Sequence, residues 1–373
     1  MTQSATPGIV AREPIAVATS AADMTVDWFR SALKDHIAPG SPAITDVALE
    51  PIGSGLLARM VRAVLTYADT TSAPASVVVK FPTDDPGSSG LAQAMGLYEL
   101  ETSFYRDIAP QLTEMSLPKC YHSYFAPDSN AFNLILEDLS SRTRPGDVLQ
   151  ASSLDDCASV LHQLVNFQAP LWNSPALQAL EWIANPARTF GIFDGLSAGL
   201  GPFLERFGHG LEPEHVQLFE SVLPRAGEWV RNWKAPTVVQ HGDFRTDNFL
   251  FGTDSTAGAA TVIDFQTVRL GPPGVDPAYF LGSSLPTESR RSAERDLIAD
   301  YHQQLVGAGV TGFDFDACWS SYREGALYGV FLFVGSASQV ESTERGDRLI
   351  VDQIRRYADM ALDLDSVGVA GLN

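Results

Sequence analysis

The segment VVQHGDFRTDNFLF, residues 238–251, and the later TVIDFQ, residues 261–266, hold side chains that can do chemistry together. Asp243 and Asn248 are five residues apart, and Asp264 comes sixteen residues after Asn248. Each sits at the edge of a short apolar run. Phosphoryl transfer asks little more of a protein than this. It needs a carboxylate to orient the attacking hydroxyl and accept its proton, and hard oxygen donors to hold Mg²⁺ against the phosphates. On that chemistry Asp243 is the catalytic base, Asn248 and Asp264 are the metal ligands, and His241 braces the loop. Taken singly, each residue has an ordinary explanation: a tight turn, an Asx cap, the end of a strand. The spacing, the flanking apolar runs and the Ile263-Asp264-Phe265 step carry the reading together.

Such groups need a scaffold, and the hydrophobic pattern supplies one. Val26, Phe29, Leu33 and Ile37 have helical spacing. Strands are predicted over residues 47–52, 59–67 and 76–81, then a helix over 91–109 stopped by Pro110, then strands over 120–125 and 132–136. After Leu139 a polar loop at 140–146 leads into helical patterns at 154–172, 214–233, 289–305 and 316–334, interrupted by short strands at 237–240, 248–251 and 261–264. The order predicts an α+β chain: an N-terminal tail and helix at 1–40, a small antiparallel-sheet lobe at 41–139, and a larger, mainly helical lobe at 140–373 with the catalytic loop and substrate site.

Lys80 ends the apolar run Val77-Val78-Val79. A lysine there either snorkels to water or reaches phosphates. The next helix decides between them. Leu97, Glu101, Phe104 and Ile108 share one helical face, and a carboxylate on an apolar stripe needs a partner. Lys80 is the natural one; Glu99 points elsewhere. The hexamer GSGLLA, Gly53 to Ala58, matches a dinucleotide-binding fingerprint, but that reading needs a helix immediately afterwards. Arg62, Val64 and Thr66 alternate with Val61, Ala63, Leu65 and Tyr67 instead, which is a strand period. A hairpin placing Gly53, Ser54 and Gly55 over a triphosphate fits better.

Composition narrows the partners. A formal net charge of −20 disfavours nucleic acid and anionic membranes. The longest strongly apolar stretch, residues 326–334, is far short of the roughly 20 residues that span a bilayer. Three widely spaced cysteines suit a reducing compartment, and the N-terminus has no basic start leading into an apolar core; a cytoplasmic protein is expected.

The catalytic segment resembles the protein-kinase loop H-x-D-x-x-x-x-N with its later Asp-Phe. More closely, it resembles the aminoglycoside phosphotransferase and choline kinase superfamily. Glu101-Thr-Ser-Phe104-Tyr105, Glu137-Asp138-Leu139 and Asp264-Phe265-Gln266 look like the ecdysteroid-kinase-like branch. The landmarks run from about residue 47 to 285. The resemblance implies a two-lobed protein-kinase-like fold, ATP and Mg²⁺ as cofactors, and transfer of the γ-phosphoryl group to a hydroxyl of a small organic molecule. It also implies adenine binding through the backbone of Glu137 and Leu139, and a structural role for Asp276, bracing the catalytic loop. Two departures stand out: Gln266 replaces the glycine of the kinase Asp-Phe-Gly, and Gln168-Ala169 stands where relatives often have His-Ala. The competing readings are a nicotinamide-dependent oxidoreductase, resting on GSGLLA alone, and an inactive nucleotide-binding module. The intact set Lys80, Asp243, Asn248 and Asp264 argues against the latter. Specificity is expected in 172–233 and 314–334, which hold Trp182, Phe203, Phe207, Trp319, Tyr322, Phe331 and Phe333. If several of these line the cleft, a steroid-like or hydroxyacyl acceptor fits better than an aminoglycoside, whereas the carboxylate excess points the other way.

Overall fold

A computed structural model describes residues 15–53, 57–234, 236–253, 260–337 and 344–372. The chain divides into two compact units, residues 1–91 with 119–138, and residues 92–118 with 139–373. The segment 92–118 thus belongs with the helical unit rather than with the sheet.

The first unit is a five-stranded antiparallel sheet in the order β1-β2-β3-β5-β4, with β1 Ile44–Ile52, β2 Ala58–Tyr67, β3 Ser76–Pro82, β4 Cys120–Ala126 and β5 Ala131–Glu137. The period-2 pattern of β2 and β3 drives it: Val61, Ala63, Leu65, Val77 and Val79 are buried together. Trp28, Phe29 and Leu33, from the helix Val26–Ala32 and its C-terminal residue, join the same core. Buried Asn133 on β5 ties down the N-terminal segment, accepting from the Ala18 N–H and donating to the Ala18 carbonyl at 2.8 Å each. β3 is the central strand, and Lys80 pairs in register with Met60 and Leu134. Gly53 has φ +70°, and a Cβ there would meet Met60 Cε at 2.8 Å, so the turn between β1 and β2 selects glycine. Ser54 and Gly55 lie outside the described residues. The element after GSGLL is the strand β2, where a Rossmann turn requires a helix.

The second unit is mainly helical, with two small sheets, β7 Val238–Gln240 with β10 Arg269–Gly271, and β6 Thr143–Pro145, β8 Phe249–Gly252 and β9 Thr261–Val262 in the order β6-β8-β9. Its core gathers Phe193, Phe203, Phe207, Phe219, Trp229 and Phe331 among others. The single helix predicted at 91–109 is corrected to four pieces: α-helices Pro86–Met95 and Leu97–Ser103, a π turn at Phe104–Ile108 and a 3-10 turn at Ala109–Gln111. Gly96, left-handed at φ +68°, makes the first break, and Pro110 sits in the last turn. Six of the seven residues of Leu97–Ser103 are buried, so no single stripe distinguishes one face there. The other predicted helices and strands are present with ends moved by a few residues, the long helical patterns ending or breaking at short turns.

Among the described residues the three cysteines are free, and burial pushes the Cys157 and Cys318 thiols up to about 12. No helix among them is long and apolar enough to cross a membrane.

Candidate active site

Two strand pairs bring the catalytic segments together. β7 ends at Gln240 opposite Arg269 of β10, and Phe249 of β8 sits opposite Val262 of β9. His241 and Asp243 therefore leave one sheet, while Asn248 and Asp264 flank the other. The joint is closed by hydrogen bonds. The Ile263 N–H donates to the Asn248 carbonyl at 3.0 Å, and His241 Nε2 donates to the Ile263 carbonyl at 2.9 Å. His241 Nδ1 accepts from the Asp243 N–H at 3.2 Å, so the ring proton sits on Nε2. The buried imidazole is thus a structural link between the loop bearing Asp243 and the loop bearing Asp264.

Asp276 makes the second brace. Fully buried in the first turn of the helix Val275–Ser284, it accepts the His241 N–H at 2.7 Å and the Gly242 N–H at 3.1 Å. Burial raises its pKa, opposed by the neighbouring His241, the two N–H donors and Arg269. Gly242 has φ +83°, and a Cβ on it would lie 2.4 Å from the Thr267 carbonyl. Its own carbonyl accepts from Arg269 Nη2 at 3.2 Å and from the Tyr328 hydroxyl. Thr267 Oγ1 donates to the His241 carbonyl at 2.9 Å. The loop is held from both sides by hydrogen bonds of its own chain.

The Asp243 carboxylate is surrounded by donors. Asn248 Nδ2 reaches its Oδ2 at 3.0 Å and its backbone carbonyl at 2.7 Å. The Tyr279 hydroxyl reaches Oδ1 at 3.3 Å, and Arg245 Nε lies 3.2 Å from the same oxygen as an ion pair. That carboxylate raises the Arg245 pKa further, and burial drives the Tyr279 pKa well up, so Tyr279 remains a hydroxyl donor.

Asp264 stands at φ +69°, left-handed and uncommon for a residue with a side chain. Gln266 Nε2 donates to its Oδ2 at 3.3 Å. The neighbouring Phe265, fully buried, holds this turn. It stacks on Phe104 with centroids 3.8 Å apart and planes 7° apart, and meets His241 at 4.8 Å and Phe167 edge-on at 5.8 Å. Gln168 is buried as well, accepting from the Tyr301 hydroxyl and donating to the Pro273 carbonyl at 3.4 Å. Both ends of its amide are occupied in the core, which is a packing role.

The residues expected to serve the nucleotide lie in both units. Lys80 on β3 is 8% exposed and Glu101 on the helix Leu97–Ser103 is 2% exposed. Glu137 ends β5, and the buried Leu139 comes two residues later. The Leu139 carbonyl accepts from the Arg142 and Thr143 N–H groups and from Thr143 Oγ1. Glu99 has a partner of its own, Arg188 Nη2 at 2.7 Å.

The sequence profile of the ecdysteroid kinase-like family matches residues 53–173 and 209–309, more than half of the chain. The chain belongs to the ecdysteroid kinase-like family. No curated protein sequence matches it. Among solved structures it resembles the GDP complex of wild-type aminoglycoside 2'-phosphotransferase-IIIa, with TM-score 0.50 and 16% identity over 86% of this chain and 94% of that one. Choline kinase LicA from Streptococcus pneumoniae matches at TM-score 0.47 and 14% identity, over 86% of this chain and 95% of that one. The first likeness establishes the fold: an ecdysteroid kinase-like chain with the kinase-like α+β architecture. Its antiparallel sheet and mainly helical remainder agree with the expected class. Family and fold together make this protein a small-molecule phosphotransferase.

Within the second unit a cavity of about 130 Å³ opens on Asp243. Leu97, Leu100, Trp182, Ile183 and Leu332 form apolar wall, and Arg188 and Arg269 also line it. Of the aromatics expected to set specificity, Trp182 lines the cavity, joined from the 314–334 segment by Tyr328; Phe203, Phe207 and Phe331 are buried in the core instead. Sequence reasoning missed Arg245, Tyr279, Arg269 and Tyr328. Tyr279 was accessible in principle, standing one helical turn after Asp276 in GVDPAYF. The others become visible only once the chain is folded.

Proposed function

We propose that this ecdysteroid kinase-like protein transfers the γ-phosphoryl group of ATP to a hydroxyl of a small organic acceptor, with Asp243 as base. The observation that carries it is the Asn248 amide bound to both the carbonyl and the carboxylate of Asp243. Both amide hydrogens are engaged there, which leaves Oδ1 as the ligand for a cation. Asp264, fixed by the Phe265 stack, supplies the second hard oxygen. Mg²⁺ needs only one or two protein oxygens, and among the described residues no His, Cys, Asp or Glu cluster of three or more forms a metal site. An amide and a carboxylate oxygen at Asn248 and Asp264 would suit Mg²⁺ with ATP, whose phosphates would supply further oxygens and whose γ-phosphorus would be the electrophile. In the transfer the acceptor O–H bond would break with its proton passing to an Asp243 oxygen, the new O–P bond would form, and the bond from the γ-phosphorus to the β,γ-bridging oxygen would break, ADP leaving with that oxygen. Tyr279 and Asn248 hold the Asp243 carboxylate in one orientation, so little reorganisation remains for the reacting state.

Lys80 and Glu101 are each proposed to serve the triphosphate, and the glycine turn that begins at Gly53 is proposed to serve it too. Leu139 would meet adenine through its N–H, since its carbonyl serves the turn at Arg142 and Thr143, and Glu137 through its main chain. The nicotinamide reading loses its support with the strand β2 after GSGLL. Thermal unfolding tests the choice: ATP with Mg²⁺ should raise Tm, by linkage to the folded state, and GTP with Mg²⁺ should do so less. Stabilisation by NADH and not by ATP with Mg²⁺ would overturn the proposal.

A further inference from the structure

The cavity at Asp243 does not share the strong acidity of the whole molecule. The chain carries −20, yet the residues lining the cavity include two guanidiniums and a single carboxylate, Asp243 itself. The two arginines differ. Arg188 is neutralised by Glu99 at 2.7 Å and donates to the Trp182 carbonyl at 3.1 Å. Arg269, 8% exposed, has only neutral oxygens as hydrogen-bond partners: Gln240 Oε1 at 3.0 Å from Nε, and the Gly242 carbonyl and Tyr328 hydroxyl from Nη2. Asp276 lies within electrostatic range, but its two oxygens accept the His241 and Gly242 N–H groups. Among the described residues Nη1 of Arg269 has no acceptor. A buried guanidinium with neutral partners is costly, and a carboxylate ligand offsets that cost with charge-assisted bonds.

We propose that the acceptor is a compact aliphatic hydroxy acid, its carboxylate held at Arg269, its chain against Leu97, Leu100, Ile183 and Leu332, and its hydroxyl at Asp243. Size agrees with charge. An apolar cavity of this order holds about one six-membered ring, so most of a fused steroid nucleus would lie outside it. A polycationic aminoglycoside would meet the Arg269 guanidinium, whose hydrogen-bond partners are neutral, and the Asp243 carboxylate already beside Arg245. The inference rests on the phosphotransfer reading for the role of Asp243, but not for the binding preference.

The test uses the full chain and hydroxyalkanoates of three to eight carbons, with the matching neutral alkanols, kanamycin and ecdysone as comparisons. Binding is read by calorimetry without nucleotide, and phosphorylation by product mass with ATP and Mg²⁺. At least one hydroxyalkanoate is expected to bind and react tenfold or more better than its neutral alkanol. Arg269→Lys, which keeps the charge and loses the planar fork, should raise KM for the acid more than for the alkanol. Because Arg269 also holds Gly242, a second variant is needed: Leu332→Glu places a carboxylate on the wall and should erase the preference for the acid. Equal or better use of the alkanol, kanamycin or ecdysone overturns the substrate class and leaves phosphotransfer standing. Absence of hydroxyalkanoate binding overturns it too. Failure of ATP with Mg²⁺ to bind, while a hydroxyalkanoate does bind, instead sinks the phosphotransfer reading.

Discussion

Asn248 and Asp243 are joined twice, the one side-chain amide donating to the carbonyl and to the carboxylate of the other at 2.7 and 3.0 Å. The proposed metal ligand and the proposed base are therefore one mechanical unit. Asn248→Ala should damage two functions at once, freeing the Asp243 carboxylate to rotate and removing an oxygen from the Mg²⁺ site. A fall in kcat of about 100-fold is expected, the scale of an ångström of misplacement, with a higher Mg²⁺ concentration at half-maximal rate. Asp243→Asn should lower kcat by about 10² to 10⁴, the usual span for a general base, and leave the Mg²⁺ requirement unchanged. Steady-state kinetics across a Mg²⁺ titration separates the two variants. An identical Mg²⁺ response in both would place Asn248 outside the metal site.

Gly242 occupies a position that strongly selects glycine. Its φ is +83°, and a Cβ would lie 2.4 Å from the Thr267 carbonyl and 2.7 Å from Arg269 Nη2. Gly242→Ala should cost about 1–3 kcal/mol in backbone strain alone, more with the carbonyl clash, and should displace Asp243. Denaturant unfolding and kcat report the two effects. Wild-type values for both would mean that the loop relaxes freely, against the bracing by Asp276 and Arg269.

Much of this site is legible in the sequence because its residues are close along the chain. The spacing of Asp243, Asn248 and Asp264 and the period-2 runs beside them give the loops and their strands directly. Three-dimensional support is not legible in the same way. Arg269 and Tyr328 reach Gly242 from positions 27 and 86 residues later in the chain. Nothing in local periodicity marks a buried arginine as a loop brace. The broken helix is a failure of another kind. Periodicity joins residues 91–109 into one helix because a single glycine is tolerable in a helix interior, whereas Gly96 takes a left-handed conformation there.

Asp363 gives a pH-dependent prediction away from the chemistry. It pairs with Arg291 at 2.8 Å and with buried Arg290, tying the helix Thr287–Gly307 to the helix Glu344–Asp363. Partial burial raises its pKa, but the hydrogen bonds from Arg291 and Arg290 outweigh this and hold it below the usual carboxylate value. A depressed folded-state pKa contributes stability that is present above the unfolded value, about 4, and is lost as pH falls through the folded one. Asp363→Asn should therefore lower Tm at pH 7, and the gap to wild type should close at acid pH. A gap that widens below pH of about 4 would contradict the assignment.

Lys80 and Glu101 provide the last test, for each is a charged side chain almost without exposure. A buried ammonium or carboxylate without an opposite charge is expensive, so under the proposal that the two act together, loss of either is expected to disturb the other. Lys80→Met and Glu101→Gln should each reduce kcat/KM for ATP by about tenfold or more, and the double variant should be little worse than either single one. Such non-additivity is the signature of residues that act as a pair; independent roles give losses that multiply. Glu99 cannot serve as the neutral control, despite its expected place on another helical face, because Arg188 bonds it at 2.7 Å and also lines the cavity at Asp243. Exposed Glu114, in the same unit, is the better choice, and Glu114→Gln should leave ATP use within error of wild type. A double-mutant cycle on kcat/KM, with Tm recorded in parallel, decides the matter. Multiplying losses at positions 80 and 101 would assign the two residues separate roles and remove Glu101 from the nucleotide site.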